Sequence, residues 1–135
     1  MQAAEARPKV TVSREATLLI VDDDEHVRRA LRRVLRRSPY HVHDAADALS
    51  ALEVLEQEPV QVVVSDYRMP GMDGVAFLRM VKDRFPRVQR VLLTGQADSS
   101  AIEEAVNQSE IFRFIWKPWD DSHLLMTIQS AVDQY

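Results

Sequence analysis

The chain has no cysteine among its 135 residues, which removes disulfide scaffolds, thiol nucleophiles and cysteine-ligated zinc from consideration. Glycine is almost as scarce, and three of them leave no glycine-rich loop to cradle a nucleotide. No apolar run approaches the roughly 20 residues of a membrane helix. The opening MQAAEARPKVTVSREA lacks the hydrophobic segment of a secretory signal. Neither charge dominates: 17 Lys+Arg against 21 Asp+Glu give −4, a balance with no global pull toward nucleic acid or anionic membrane. What is present, 46% hydrophobic and 28% charged residues, is the composition of one ordinary globular domain. A soluble, cytoplasmic domain without nucleic-acid or membrane partners is the expectation.

Residues 1–16 have no hydrophobic period and read as a flexible leader; residues 17–135 read as the domain. Leu18, Leu19, Ile20 and Val21 form a short apolar run, as a strand buried on both faces requires. Val27, Ala30, Leu31, Val34 and Leu35 then recur at helical spacing behind Asp24, a plausible N-cap. A modest strand is expected at residues 40–44. A helix carrying Ala45, Ala48, Leu49, Leu52 and Leu55 follows, then a strong strand at 60–65 (VQVVVS). After an irregular loop at 66–73, a helix carries Phe77, Leu78, Val81 and Phe85. A strand at 88–93 leads to Ser100-x-x-Glu103, which reads as a capping box opening a helix with Ile102, Ala105 and Val106. The chain closes with a strand at 112–116 and a helix lined by Leu124, Leu125, Ile128, Val132 and Tyr135. Such β-α alternation implies an α/β fold, a parallel sheet with helices on both faces.

Ligands of such sheets sit beyond the carboxyl ends of the strands. There stand Asp22, Asp23 and Asp24 after the first strand, Asp66 after the third, Thr94 after the fourth, and Lys117 with Pro118 after the fifth. Singly, each has a plain structural reading: a cap, a turn former, a strand-end hydroxyl, a solvated charge. Together they describe a rim for phosphoryl chemistry. Crowded carboxylates repel unless a cation neutralises them, and Mg²⁺ takes such hard oxygen ligands while retaining waters. A nearby ammonium offsets phosphoryl charge, and a hydroxyl donates to a phosphoryl oxygen.

Four segments, LLIVDDDEHVRRAL, VVVSDYRMPGMDGVAFL, RVLLTGQAD and RFIWKPWDD, occur in the order and spacing of the receiver domain of two-component response regulators. The resemblance covers residues 17–135. It implies a flavodoxin-like (βα)5 three-layer sandwich with strand order 2-1-3-4-5. It also implies a phosphorelay role in which Asp66 takes a phosphoryl group from a sensor histidine kinase or phosphotransfer protein, with no enzymatic activity beyond self-catalysed uptake and autodephosphorylation. By the same resemblance Mg²⁺ would be held by Asp23, by Asp22 through water, by Asp66 and by the Arg68 backbone carbonyl. Thr94 would bond a phosphoryl oxygen, Lys117 would pair with the group, and the Lys117–Pro118 bond would be cis. Phe114 falls at the aromatic switch position, on the face formed by the last two helices and the final strand, to which movement of Thr94 is relayed. Pairing of two copies through that face, and an output domain outside this chain, are compatible with it. The ending IFRFIWKPWDD is similar to receivers attached to HD-GYP-type phosphodiesterases or to some transcription activators.

Some features depart from the family pattern. Trp116 stands where a smaller residue is usual, and 107–110 lacks a common Gly-Ala turn. Arg68 and Gln96 fall at positions that tune phosphoryl lifetime, and a large cation at Arg68 would hinder the attacking water. Six arginines on the first helix (Arg28, Arg29, Arg32, Arg33, Arg36, Arg37) suit a solvated or partner-docking face better than nucleic acid, given the acidic whole. The two tryptophans, Trp116 and Trp119, are expected in packing, and the four histidines carry no ligand spacing. Two rival readings remain. Asp22-x-Asp24 after a strand also resembles the opening motif of haloacid-dehalogenase-type phosphatases, though His26 replaces the expected Thr or Val and SDYRMPGMDG goes unexplained. An unphosphorylated docking module is the other, but no acidic or lysine position is lost.

Overall fold

The computed structural model describes residues 16–95, 98–100, 102–103 and 113–135. Five strands, β1 (Thr17–Val21), β2 (His41–Ala45), β3 (Val62–Asp66), β4 (Gln89–Gly95) and β5 (Arg113–Lys117), form one sheet in the order β2-β1-β3-β4-β5. Every neighbouring pair is parallel. The helices described in full are α1 (Glu25–Leu35), α2 (Ala48–Gln57), α3 (Gly74–Arg84) and α4 (Asp121–Gln134). This is the flavodoxin-like, three-layer architecture that the resemblance implies.

Successive strand residues point to opposite faces, and the core divides accordingly. Leu19, Val21, Val63 and Leu92 pack with Ala51, Leu55, Phe77, Leu78 and Val81 of α2 and α3. Leu18, Ile20, Val62, Val64, Val91, Leu93 and Ile115 pack with Leu31, Leu35, Leu124 and Ile128 of α1 and α4. Burial on both faces explains why β1 and β3 are continuous apolar runs rather than alternating ones.

Each of the four helices starts on an aspartate. Asp24, Asp47, Asp73 and Asp120 accept from the backbone N–H of His26, Ser50, Ala76 and His123 respectively. Such caps satisfy otherwise orphaned donors and contribute about 1 kcal/mol each.

Several expectations need correction. Ala45 ends β2 rather than opening a helix. Leu49 is 73% exposed, because the buried stripe of α2 runs through Ala48, Ala51 and Leu55 and turns Leu49 to water. Tyr135 is exposed, with Arg87 stacked 4.3 Å from its ring centre. Trp116 is 40% exposed and is not a core residue, whereas Trp119 packs against the α1/α4 side. Ser100 is not the cap of its helix, since Ser99 before it is already helical. The strands also run further than expected: Asp66, Thr94 and Lys117 lie in the last turns of ladder pairing, not in loops. The leader up to residue 15, Gln96, Ala105, Val106, the 107–110 turn and Phe112 lie outside the described residues.

Candidate functional site

The carboxyl ends of β1, β3 and β5 bring three expected groups together. Asp66 lies level with Leu93, Leu93 with Ile115, and Lys117 with Gly95, so Asp66 and Lys117 leave the sheet on the same face. Lys117 Nζ stands 2.7 Å from Asp66 Oδ1 and 3.6 Å from Asp22 Oδ2. The Lys117–Pro118 peptide bond is cis, as the resemblance implies.

Asp22, Asp23 and Asp66 each offer a carboxylate oxygen within 4.8 Å of the others. Asp22 is 1% exposed. Its Oδ1 accepts from the Asp24 N–H at 2.9 Å, while Oδ2 is buried without a hydrogen-bond partner. The Lys117 ammonium is too far from it for a hydrogen bond, though near enough for Coulomb attraction. Burial pushes the Asp22 carboxyl up in pKa, and the charges of Asp66 and Asp23 push it the same way. The Asp24 N–H and Lys117 only partly oppose this. For Lys117, burial pulls its pKa down, but its hydrogen bond to Asp66 and the charges of Asp66 and Asp22 reverse this and leave it raised. An orphaned buried oxygen among three hard donors fits a divalent cation.

Asp24 has a different task. Its carboxylate caps α1, so it does not supply the second acidic group that the phosphatase reading needs at the cluster. Thr94 is fully buried in β4. Its hydroxyl lies 3.3 Å from the Gly95 carbonyl and 3.5 Å from Asp98 Oδ2. Phe114 lies level with Leu92 and packs, partly buried, on the α2/α3 side. Thr94 and Phe114 therefore share the face opposite to Asp66 and Lys117.

The loop after β3 is shaped by two glycines. Gly71 has φ +83°, a left-handed conformation that a side chain would strain. Gly74 donates its N–H to Tyr67 O at 2.6 Å. A Cβ there would collide with the Asp66 carbonyl oxygen and lie 2.9 Å from Tyr67 Cα. Beside it opens a cleft of about 520 Å³ lined by Asp23, Tyr67, Arg68, Met69, Pro70, Asp73 and Asp98.

Sequence reasoning missed two contributors. Arg28 is not a solvated charge: Nη1 donates to the Asp22 carbonyl at 2.6 Å and Nε lies 3.5 Å from Asp44, bracing the end of β1. Asp98 pairs with Arg68. No spacing marks either one, because each joins separate segments of the chain. Of the other arginines, Arg29 and Arg32 on α1 and Arg37 just beyond it pair with Glu25, Asp44 and Asp121 respectively.

Comparison with known proteins gives consistent results. The family model described as the response regulator receiver domain matches residues 18–129. The chain is 39% identical over 120 residues to the hydrogenase transcriptional regulatory protein HoxA of Cupriavidus necator, covering 89% of this chain and 25% of that protein. It is 32% identical over 116 residues to the DNA-binding transcriptional regulator NtrC of Escherichia coli, covering 86% and 24%. The chain thus spans about a quarter of the length of the curated relatives it matches. Among solved structures, the signal receiver domain of an HD domain-containing protein from Pseudomonas fluorescens superposes with a TM-score of 0.82 at 37% identity, covering 88% of this chain and 95% of that one. Among the described residues, no helix is long and apolar enough to cross a membrane.

Proposed function

Because the chain belongs to the receiver-domain family of two-component response regulators, we propose that Asp66 is its phosphoacceptor and that the rim around it is built for phosphoryl transfer. The observation that carries this reading is the 2.7 Å contact between Lys117 Nζ and Asp66 Oδ1 inside a cluster of three carboxylates.

A carboxylate oxygen of Asp66 attacks phosphorus as the phosphorus–nitrogen bond of a phosphohistidine breaks. The imidazole keeps the bonding electron pair and leaves as neutral histidine once protonated. The protein's part is positioning and charge neutralisation rather than covalent activation. Lys117 offsets the charge arriving on the phosphoryl oxygens, and Thr94 donates its hydroxyl to one of them. Asp23, Asp66, the Arg68 backbone carbonyl and, through water, Asp22 would hold Mg²⁺. When bound, the ion neutralises the carboxylates and polarises the phosphoryl group. Water attack at phosphorus later releases phosphate and restores the Asp66 carboxylate.

The new group adds charge and acceptor oxygens to a crowded rim, which draws Thr94 and repacks Phe114 on the output face. A sensor histidine kinase or phosphotransfer protein supplies the phosphoryl group. The quarter-length match to HoxA and NtrC supports an output domain beyond this chain, and pairing of two copies through the output face is compatible with it.

Intact and peptide mass spectrometry after acetyl phosphate and Mg²⁺ tests the reading. One phosphoryl group on Asp66, absent from Asp66→Asn, is the expected result. Label on Asp22 with steady phosphate release would mean a phosphatase, and no label on either would leave a docking module.

A further inference from the structure

Arg68 and Asp98 close the rim of the cleft from two different loops. Arg68 directs Nη2 and Nε to a single oxygen of Asp98, Oδ1, at 2.7 and 2.9 Å. The other oxygen, Oδ2, lies 3.5 Å from the Thr94 hydroxyl. The carboxylate is therefore divided, with one oxygen taken up by Arg68 and the second turned toward Thr94. The burial of the partners is unequal: the Asp98 side chain is 9% exposed and that of Arg68 72%. A carboxylate so enclosed requires a charged partner, and Arg68 supplies it from the solvent side.

The Thr94 hydroxyl carries one proton. It cannot be given to Asp98 and to a phosphoryl oxygen at once. Its present contacts, 3.5 Å to Asp98 and 3.3 Å to the Gly95 carbonyl, are long ones, so the hydroxyl is held but not locked. An anionic phosphoryl oxygen offers a shorter, charge-assisted bond.

We propose that Asp98 is a positioning residue for the phosphoryl chemistry: an acceptor, fixed by Arg68, that competes with the phosphoryl group for the Thr94 hydroxyl. The proposal rests on Asp66 being the phosphoacceptor. Asp98 thereby sets how readily the rim accepts its ligand without touching that ligand.

The test is a titration of the whole chain with beryllofluoride and Mg²⁺, read by the ¹⁹F resonance of the bound fluoride, in wild type, Asp98→Asn, Thr94→Val and the double variant. An asparagine with its carbonyl toward Arg68 turns an amide donor, not an acceptor, toward Thr94. Asp98→Asn should bind beryllofluoride about 2- to 10-fold more tightly, the range of one ordinary, long hydrogen bond. In the Thr94→Val background the same change should have less than about a twofold effect, because the contested hydroxyl is gone. Equal tightening in both backgrounds would show a simple loss of negative charge and overturn the proposal. Unchanged or weaker binding in the presence of Thr94 would also overturn it. Should Asp98→Asn fail to fold by circular dichroism, Asp98→Ala serves the same comparison. If wild type gives no bound resonance that Asp66→Asn abolishes, the phosphoacceptor reading fails and this proposal with it. A bound resonance insensitive to Asp98 overturns this proposal alone.

Discussion

Gly74 lacks a side chain where the backbone of Asp66 passes closest to it, and this leaves its own N–H free to bond Tyr67 at 2.6 Å. The first residue of α3 is thereby tied to the residue that follows β3, against the backbone of Asp66.

Gly74→Ala is therefore expected to destabilise the fold by about 1–3 kcal/mol, the usual cost of overpacking, despite the better helix propensity of alanine. Because the clash falls on Asp66 itself, acetyl phosphate should also label the variant more slowly. Denaturant unfolding and the labelling rate check this. A gain in stability would mean that the loop yields freely.

Asp22→Asn should stabilise the metal-free protein, by about 1 kcal/mol at neutral pH, in the range of relieved electrostatic strain. Burial, Asp66 and Asp23 all raise the pKa of this carboxyl, so its charged form is the disfavoured one in the folded state. For a raised acid the favourable contribution is present below the unfolded value and lost as pH rises through the folded one. The gain from Asn should accordingly shrink toward acid pH. Mg²⁺ binding should fall in the same variant. Thermal unfolding with and without Mg²⁺ at several pH values measures both effects.

Arg68→Ala should shorten the life of the phosphorylated state severalfold. The guanidinium, tied to Asp98, lines the cleft beside Asp23 and Tyr67, where its bulk would hinder a water approaching a phosphoryl group on Asp66. Autodephosphorylation followed by phosphate release reads this directly, and an unchanged rate would remove Arg68 from any role in excluding water.

Tyr40 joins α4 to the start of β2 by donating its hydroxyl to Gln129 Oε1 at 2.6 Å. Burial and the Asp133 charge raise its pKa above 10.0. Its contribution to stability is thus present below pH 10 and lost as pH rises through the folded value. Tyr40→Phe should cost about 0.5–1 kcal/mol at neutral pH and flatten the alkaline limb of the stability curve. Urea unfolding from neutral to alkaline pH provides the measurement.

The rim was readable because strand ends are readable. A short, largely apolar run such as VVVS before Asp66 fixes where the strand stops to within a residue or two, and the parallel topology then gathers the ends. The α2 stripe was less so: Leu49 is apolar, yet the true face is set by Ala48, Ala51 and Leu55, small residues that hydrophobicity underweights. The caps Asp47, Asp73 and Asp120 carried a usable signal, an aspartate just before each helix, and were overlooked in favour of Ser100. Arg28 and Asp98 carried none. Each contacts a partner in a separate segment (Asp44 for Arg28, Arg68 for Asp98), and no periodicity encodes a meeting between two segments.

The alternation of side chains along β3, β4 and β5 has one more effect. Asp66 and Lys117 project toward α1 and α4, whereas Thr94 and Phe114 project toward α2 and α3. The sheet thus acts as a partition, with the carboxylate and the ammonium on one side and the hydroxyl and the aromatic on the other. If Asp66 is the phosphoacceptor, its message passes over the edge at the carboxyl end, where the Thr94 hydroxyl lies. A change that stiffens the sheet interior should leave signalling intact, and a change that moves this edge by a fraction of an ångström should not.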